Sequence, residues 1–429
     1  MNFSRRHFIG LAAGAAASTV AVAGKTQPQE ACANLPPSIA SLKSRKSEAV
    51  PISADEMLAR TERARQLMNA NRLQAIVITS GSSLPYFSAA HWWQSERLFA
   101  MVLPAKGKAF FVCPAFEEDR AREQLAKGPF GAGADVRTWQ EDEDPYLRVA
   151  QGCNDLGIVT GRLGMEEKTP FVFSNGIAMA LPALQIASAT PVTAGCRMVK
   201  SEHEIALMRL AAQVTLAAYD AAYRALHDGM TQQQFADLVK AAHEQLGFTG
   251  GADVQVGEYS ALPHGSVQTQ QVREGTILLM DGGCSVEGYA SDISRTFVLG
   301  KANDKMKRVF DIVHRAQSAA LATARPGLPC EAVDAAARKV IVDAGYGPGF
   351  KYFTHRVGHG MGMDGHEWPY LVHGDKTLLQ PNMVFSDEPG IYIRGEFGVR
   401  LEDDMHITAN GAELFTPQSP SLEDPFGAA

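Results

Sequence analysis

At 429 residues, 45% hydrophobic and 20% charged, the chain has the composition of a soluble globular protein with room for two or three domains. A formal net charge of −7, with no basic block downstream of the amino terminus, argues against nucleic acid as the main partner. Cys32, Cys113, Cys153, Cys196, Cys284 and Cys330 are scattered without a Cys-x-x-Cys pair, so neither a disulfide framework nor a thiolate metal site is expected.

The amino terminus carries Ser4-Arg5-Arg6-His7-Phe8-Ile9, then a Gly/Ala-rich apolar stretch and Ala21-Val22-Ala23, which resembles a twin-arginine export signal with its small-residue cleavage pattern. The apolar stretch is shorter than the roughly 20 residues a spanning helix needs. Residues 1–23 are therefore expected to be a signal peptide rather than a stable membrane anchor, and the mature protein to be exported already folded to the periplasm or beyond. Residues 24–53, rich in Pro, Ser, Ala and Lys without periodicity, are expected to form a disordered leader.

From Ser53 the periodicity changes. A helix over 54–71 precedes a strand over 75–79, apolar runs at 98–103 and 109–113, and a helix from about 115. The alternation continues to about Val192 and implies an α/β domain over 54–192 built on a mixed sheet. His91-Trp92-Trp93 reads as packing or an interface, with a wall of an active site as the alternative. After a joint at 191–201 comes a long helical run over 202–226, and Thr231 with Gln234 makes a capping box for a helix closed by Gly247. The layout recurs about 98 residues on: Gly229-Met230 to Gly247-Phe248 matches Gly327-Leu328 to Gly345-Tyr346, with the same 18-residue gap. A duplicated helix–helix–strands unit predicts a pseudo-two-fold α/β domain with a site between its halves.

Candidate chemistry concentrates in that second half. Thr276–Phe297 reads as a hairpin with a loop longer than the tightest type, its first apolar run ending at Asp281 and its second holding Asp292. Taken alone these are either turn aspartates or two carboxylates facing each other across strands. Downstream lie His355, His359 and His366 among glycines, Glu388 at the end of an apolar run before Pro389-Gly390, and Glu402-Asp403-Asp404 in a strand-like stretch. Buried charges are rare unless paired or metal-bound, and four converging carboxylates would cost several kcal/mol per ion. Divalent cations remove that conflict, with one neutral imidazole completing a ligand set for two of them. A zincin site is excluded, because His366-Glu367 is followed by Trp-Pro-Tyr.

With these residues in hand, the sequence resembles the pita-bread metallopeptidase family, in particular its proline-handling branch of aminopeptidase P and prolidase. The resemblance rests on Asp281, Asp292, His359, Glu388 and Glu402 in order and at matching spacing, and on Met198-Val-Lys-Ser-Glu-His-Glu-Ile before the second domain. It covers 196–420 strongly and a creatinase-like amino-terminal domain over 54–192 more loosely. The resemblance implies that Asp292 and Glu402 bridge two divalent ions, that Asp281 chelates one, and that His359 and Glu388 hold the other. Manganese is the expected metal, with cobalt, zinc or iron as alternatives. It further implies that Glu388 moves the proton, that His264 and His366 contact substrate and stabilise the oxyanion, and that His355 and Arg400 line the proline pocket or brace a metal carboxylate. The implied substrate is a peptide with proline in second position, cleaved by an Xaa-Pro aminopeptidase or Xaa-Pro dipeptidase, and the implied assembly is a homodimer. A metal-dependent hydrolase or lyase of a non-peptide small molecule and a non-catalytic peptide-binding module are the alternatives on this fold.

Overall fold

A computed structural model describes residues 35–427. The export-signal resemblance, Cys32 and the first part of the expected leader lie outside the described residues. The remainder of that leader is a correction. Residues 37–53 are packed, not disordered: the helix Pro37–Ala40 buries Ile39 completely, Ser38 Oγ donates to Ala221 O at 2.8 Å, and Arg45 N donates to Leu246 O at 2.9 Å. The polar composition that suggested disorder hides one apolar anchor and backbone groups satisfied by helices nearly 200 residues away.

The first half starts with the helix Ala54–Ala70, whose Ser53–Glu56 capping box satisfies its first amides. The sheet beside it has six strands in the order Asp135–Trp139, Phe110–Pro114, Ala100–Pro104, Ala75–Ile78, Gly161–Met165, Leu184–Ser188. It is mixed: Ala75–Ile78 pairs antiparallel with Ala100–Pro104 and parallel with Gly161–Met165. The three central strands of the chain's first runs are buried on both faces, so they read as continuous apolar runs rather than alternating ones. Trp92 belongs to this core and stacks on Phe99, while Trp93 stays 53% exposed with Arg120 over its ring. Cys113, Cys153, Cys196, Cys284 and Cys330 are buried and free.

The helix Thr190–Arg197 leads into Glu202–Tyr223, which opens on a Ser201–Glu204 capping box. The expected duplication is visible in the element order. Helices Glu202–Tyr223 and Gln232–Leu246 precede the antiparallel strands Thr249–Val256, Ile277–Val286 and Ile293–Val298. Helices Asp304–Thr323 and Cys330–Asp343 precede the second set, ordered Glu367–Leu371, Gly358–Gly360, Val384–Asp387, Asp403–Ile407, Ala412–Leu414. The repeated glycines have a physical reason: Gly229, Gly247, Gly327 and Gly345 take φ of +85°, +94°, +87° and +90°, the left-handed region that other residues avoid.

The hairpin differs from expectation. Ile277–Val286 runs on through the glycines, and only Glu287 and Gly288, with φ of +50° and +85°, make the turn to Tyr289. Two consecutive positive φ values are those of a tight two-residue turn, so the loop is shorter than the composition suggested. Among the described residues no helix is long and apolar enough to cross a membrane.

Candidate metal centre

The two strand sets meet where Glu402 N donates to Ser294 O at 3.2 Å and Asp292 N donates to Asp404 Oδ1 at 3.1 Å. That junction brings the candidate ligands together. Asp281 lies within Ile277–Val286, Asp292 just before Ile293–Val298, His359 at the centre of Gly358–Gly360, Glu388 just after Val384–Asp387, and Glu402 just before Asp403–Ile407. The glycines around His359 are not a flexible loop. A Cβ on Gly358 would come within 2.0 Å of Ser386 O, so glycine is what lets this strand approach its neighbour.

Ligand atoms of Asp281, Asp292 and Glu402 lie within 4.8 Å of one another, as do those of His359, Glu388 and Glu402, and those of Asp292, His359 and His366. Asp281 does not face Asp292 directly: its cross-strand partner is Ser294, with Asp292 two residues earlier on the same face. Ser294 Oγ sits 2.7 Å from Asp281 Oδ1 and 2.6 Å from Glu402 Oε2 while accepting from Arg400 Nε at 2.9 Å. One hydroxyl proton cannot serve both carboxylates, so protein donors alone leave this cluster under-satisfied.

The charges say the same. Burial, with Asp281 and Glu388 beside it, pushes the Asp292 carboxyl well above the usual range, and burial with Asp292 and Glu388 does so for Glu402. Burial is also the main reason Glu388 rises to about 8. At Asp281 burial works in the same direction, but Arg400, Ser294 and Glu402 more than offset it and hold that carboxyl low. Arg400 Nη2 is 2.6 Å from Asp281 Oδ2. Burial lowers His359 to about 3, so its ring is neutral. Its Nδ1 lies 3.2 Å from Gly360 O, which assigns the proton there and leaves the Nε2 lone pair facing Glu388 Oε1 at 3.4 Å and Asp292 Oδ2 at 3.8 Å. Carboxylates in excess of cations, with one imidazole lone pair aimed among them, fit two divalent ions held by Asp281, Asp292, His359, Glu388 and Glu402.

The remaining sequence candidates surround this cluster. His366 stacks on His359, with ring centroids 3.7 Å apart and planes 20° from parallel. His264 is exposed on the loop whose Pro263 O accepts from Arg400 Nη1 at 3.1 Å. His355 Nε2 meets Tyr392 Oη at 2.8 Å, and its Nδ1 is 3.7 Å from Glu388 Oε2. Tyr392 also accepts from Arg400 Nη1 at 3.1 Å. Sequence reasoning gave Tyr392 and Ser294 no role. Each had a weak signal, Ser294 as the residue sharing a strand face with Asp292, and Tyr392 four residues after Glu388.

A buried carboxylate cluster with one imidazole, between the halves of a duplicated α/β domain and behind a mixed-sheet amino-terminal domain, defines the pita-bread class of metal-dependent enzymes. The pattern of Metallopeptidase family M24 matches residues 206–409, and that of the Creatinase/Prolidase N-terminal domain matches residues 60–199. An Xaa-Pro dipeptidase of Lactobacillus delbrueckii subsp. lactis is 31% identical over 369 residues, covering 82% of this chain and 95% of the relative. The crystal structure of dipeptidase PepE from Mycobacterium ulcerans superposes with a TM-score of 0.81 at 33% identity, covering 87% of this chain and 99% of that one. Prolidase from Thermococcus sibiricus superposes with a TM-score of 0.77 at 28% identity, covering 86% and 98%. The chain belongs to metallopeptidase family M24.

Proposed function

We propose that this chain is a dinuclear-metal peptidase that hydrolyses the bond between an amino-terminal residue and proline, acting first of all on Xaa-Pro dipeptides. The observation that carries the reading is the convergence of Asp281, Asp292, His359, Glu388 and Glu402 at one junction. The relatives named Xaa-Pro dipeptidase or prolidase supply the preference for dipeptides over longer Xaa-Pro substrates. An oxygen-rich donor set with a single imidazole supports manganese as the metal.

When bound, the two ions lower the pKa of a water and polarise the scissile carbonyl. The chain does the rest. Glu388 sits beside His359 and His355, and its carboxylate takes the proton of the attacking water and gives it to the leaving proline nitrogen. His366, whose pKa burial lowers, presents a neutral ring, and with His264 it donates to the oxygen that gains charge. Arg400 keeps Asp281 ionised and, through Tyr392, fixes His355 against Glu388. The twin-arginine-like segment supports an exported enzyme, and the family resemblance supports a homodimer.

The test offers Xaa-Pro dipeptides and Xaa-Pro-Xaa tripeptides to metal-stripped protein reloaded with manganese, with Asp292→Ala as control. Dipeptide cleavage that Asp292→Ala abolishes is the expected result. Preferred release of the first residue from longer peptides would make the enzyme an aminopeptidase P, and no cleavage of either would reject the reading.

A further inference from the structure

His366 sits on a turn that has little rigidity of its own. Residues 361–366, Met-Gly-Met-Asp-Gly-His, connect Gly358–Gly360 to Glu367–Leu371 and contain two glycines. Yet the placement of the His366 ring on the metal-centre histidine requires this turn to hold one conformation. Its backbone is tied within the catalytic half, Ala290 N donating to Gly362 O at 2.8 Å, but the Asp364 side chain bonds outside that half. Asp364 Oδ1 accepts from Ser82 Oγ at 2.6 Å, and Asp364 Oδ2 accepts from Arg197 Nη2 at 2.8 Å and from Lys168 Nζ at 3.1 Å. Arg197 also donates to Glu367, the residue after His366, and Glu367 Oε1 in turn accepts from Asp364 N at 2.9 Å. Ser82 and Lys168 come from the amino-terminal half, and Arg197 ends the helix that leads into the catalytic half. Arg197, Asp364, Glu367 and His366 line one cavity with Ser82 and Lys168.

We propose that Arg197 is a positioning residue for His366: by gripping Asp364 and Glu367 on either side of it, together with Ser82 and Lys168, it lets the amino-terminal half set the geometry of the catalytic turn. The physical argument is one of burial. The Arg197 and Glu367 side chains are 10% and 5% exposed, so their ion pair is shielded from water and holds its geometry where a surface pair would not. Asp364 is more open, and it is the second jaw of the grip. A guanidinium bridges two carboxylates in a way that a lysine point charge cannot. None of the five ligand side chains lines this cavity, and Arg197 bonds to none of them. Its removal therefore leaves the metal donors in place and frees the turn, together with Ser83 Oγ, which accepts from Arg197 Nη1 at 3.2 Å.

The kinetic side of this proposal rests on the peptidase reading above; its structural side does not. Arg197→Met, Arg197→Lys and Asp364→Asn would be compared with the full-length, manganese-loaded enzyme. A misplaced donor over the reacting carbonyl costs on the order of 10–100-fold in kcat, so that loss is expected in Arg197→Met, with KM within threefold, full metal content and partial rescue in Arg197→Lys. Amide hydrogen exchange should rise over 361–368 and not over the helix Glu202–Tyr223. In a His366→Ala background Arg197→Met should cost almost nothing further, since both act through one group. Additive losses in that double variant, or exchange rising throughout the catalytic half, would overturn the proposal. If Arg197→Met does not fold, Asp364→Asn carries the same expectations, because it releases one jaw of the grip without emptying the buried site. Wild-type enzyme that cleaves no Xaa-Pro peptide rejects the function reading, and the exchange result then decides the clamp by itself.

Discussion

Glu388→Gln is expected to lower kcat by about 10²–10⁴-fold even at saturating metal, the range that a positioned proton-transfer group contributes. Glutamine keeps the shape of the side chain and an oxygen within reach of Ser386 Oγ, now 3.3 Å from Glu388 Oε1. What it loses is the capacity to carry a proton and one negative charge. The second loss weakens metal binding, so the variant must be assayed across a manganese titration with metal content measured beside activity. A residual deficit at full occupancy isolates the proton-transfer role. Recovery to wild-type kcat at high manganese would show that Glu388 serves as a ligand only. Its position supports the first outcome: it lies between His359 and His355 with its side chain 14% exposed, while that of Glu402 is 3% exposed.

Metal-free protein is expected to lose stability as pH rises from about 6.5 to 8, the reverse of an ordinary protein with paired carboxylates. Glu388 rises to about 8 in the folded chain, and Asp292 and Glu402 are also raised, all mainly through burial. A raised carboxyl binds a proton in the folded state that the unfolded state has already released. Stability from that proton is fully present below the unfolded pKa of about 4.5 and is lost as pH climbs through the folded value. Each such group contributes a slope of about 1.4 kcal/mol per pH unit while it is titrating in only one of the two states. Asp281, which Arg400 holds low, has the opposite sign below about pH 4, and His243, His355, His359 and His366, all lowered by burial, have it up to about pH 6.5, so the interval above is left to the raised carboxyls. Divalent metal replaces the protons, so loaded enzyme should be flat or rising over the same interval, and loading should release protons to the buffer. Chemical denaturation at about pH 6.5 and 8, with and without manganese, distinguishes the two slopes. Metal-free protein that gains stability toward pH 8 would show that the cluster is solvated rather than desolvated.

Much of this was legible in the sequence because it is local or periodic. The Thr231–Gln234 cap is a four-residue pattern, and the duplicated glycines mark helix ends whose backbone needs positive φ. Carboxylates set into or ending strand-like runs gave Asp281, Asp292, Glu388 and Glu402; the last three flank strands at the junction, and Asp281 lies mid-strand on the face turned toward it. The turn at Glu287-Gly288 was misjudged because neighbouring glycines look like loop, whereas they stand in the strand for close packing: a Cβ on Gly283 would lie 1.9 Å from Ser291 O. The packing of 37–53 depends on one isoleucine and on backbone bonds to distant helices, which no local pattern reports. Ser294, Tyr392 and Arg197 matter through partners brought near by the fold, Arg197 meeting Asp364 and Glu367 across more than 160 positions. Their residue types carried no signal of it.

The central claim is that five side chains hold two ions and that both ions are needed to cleave an Xaa-Pro bond. Metal-stripped protein titrated with manganese, with bound metal counted and Xaa-Pro dipeptide hydrolysis followed at each addition, tests it most directly. The expected result is two ions per chain, with activity absent in stripped protein, completed only as the second ion binds, and lost together with binding in Asp292→Ala. Full hydrolysis by stripped protein, or saturation at one ion per chain with Asp292→Ala unaffected, would contradict it.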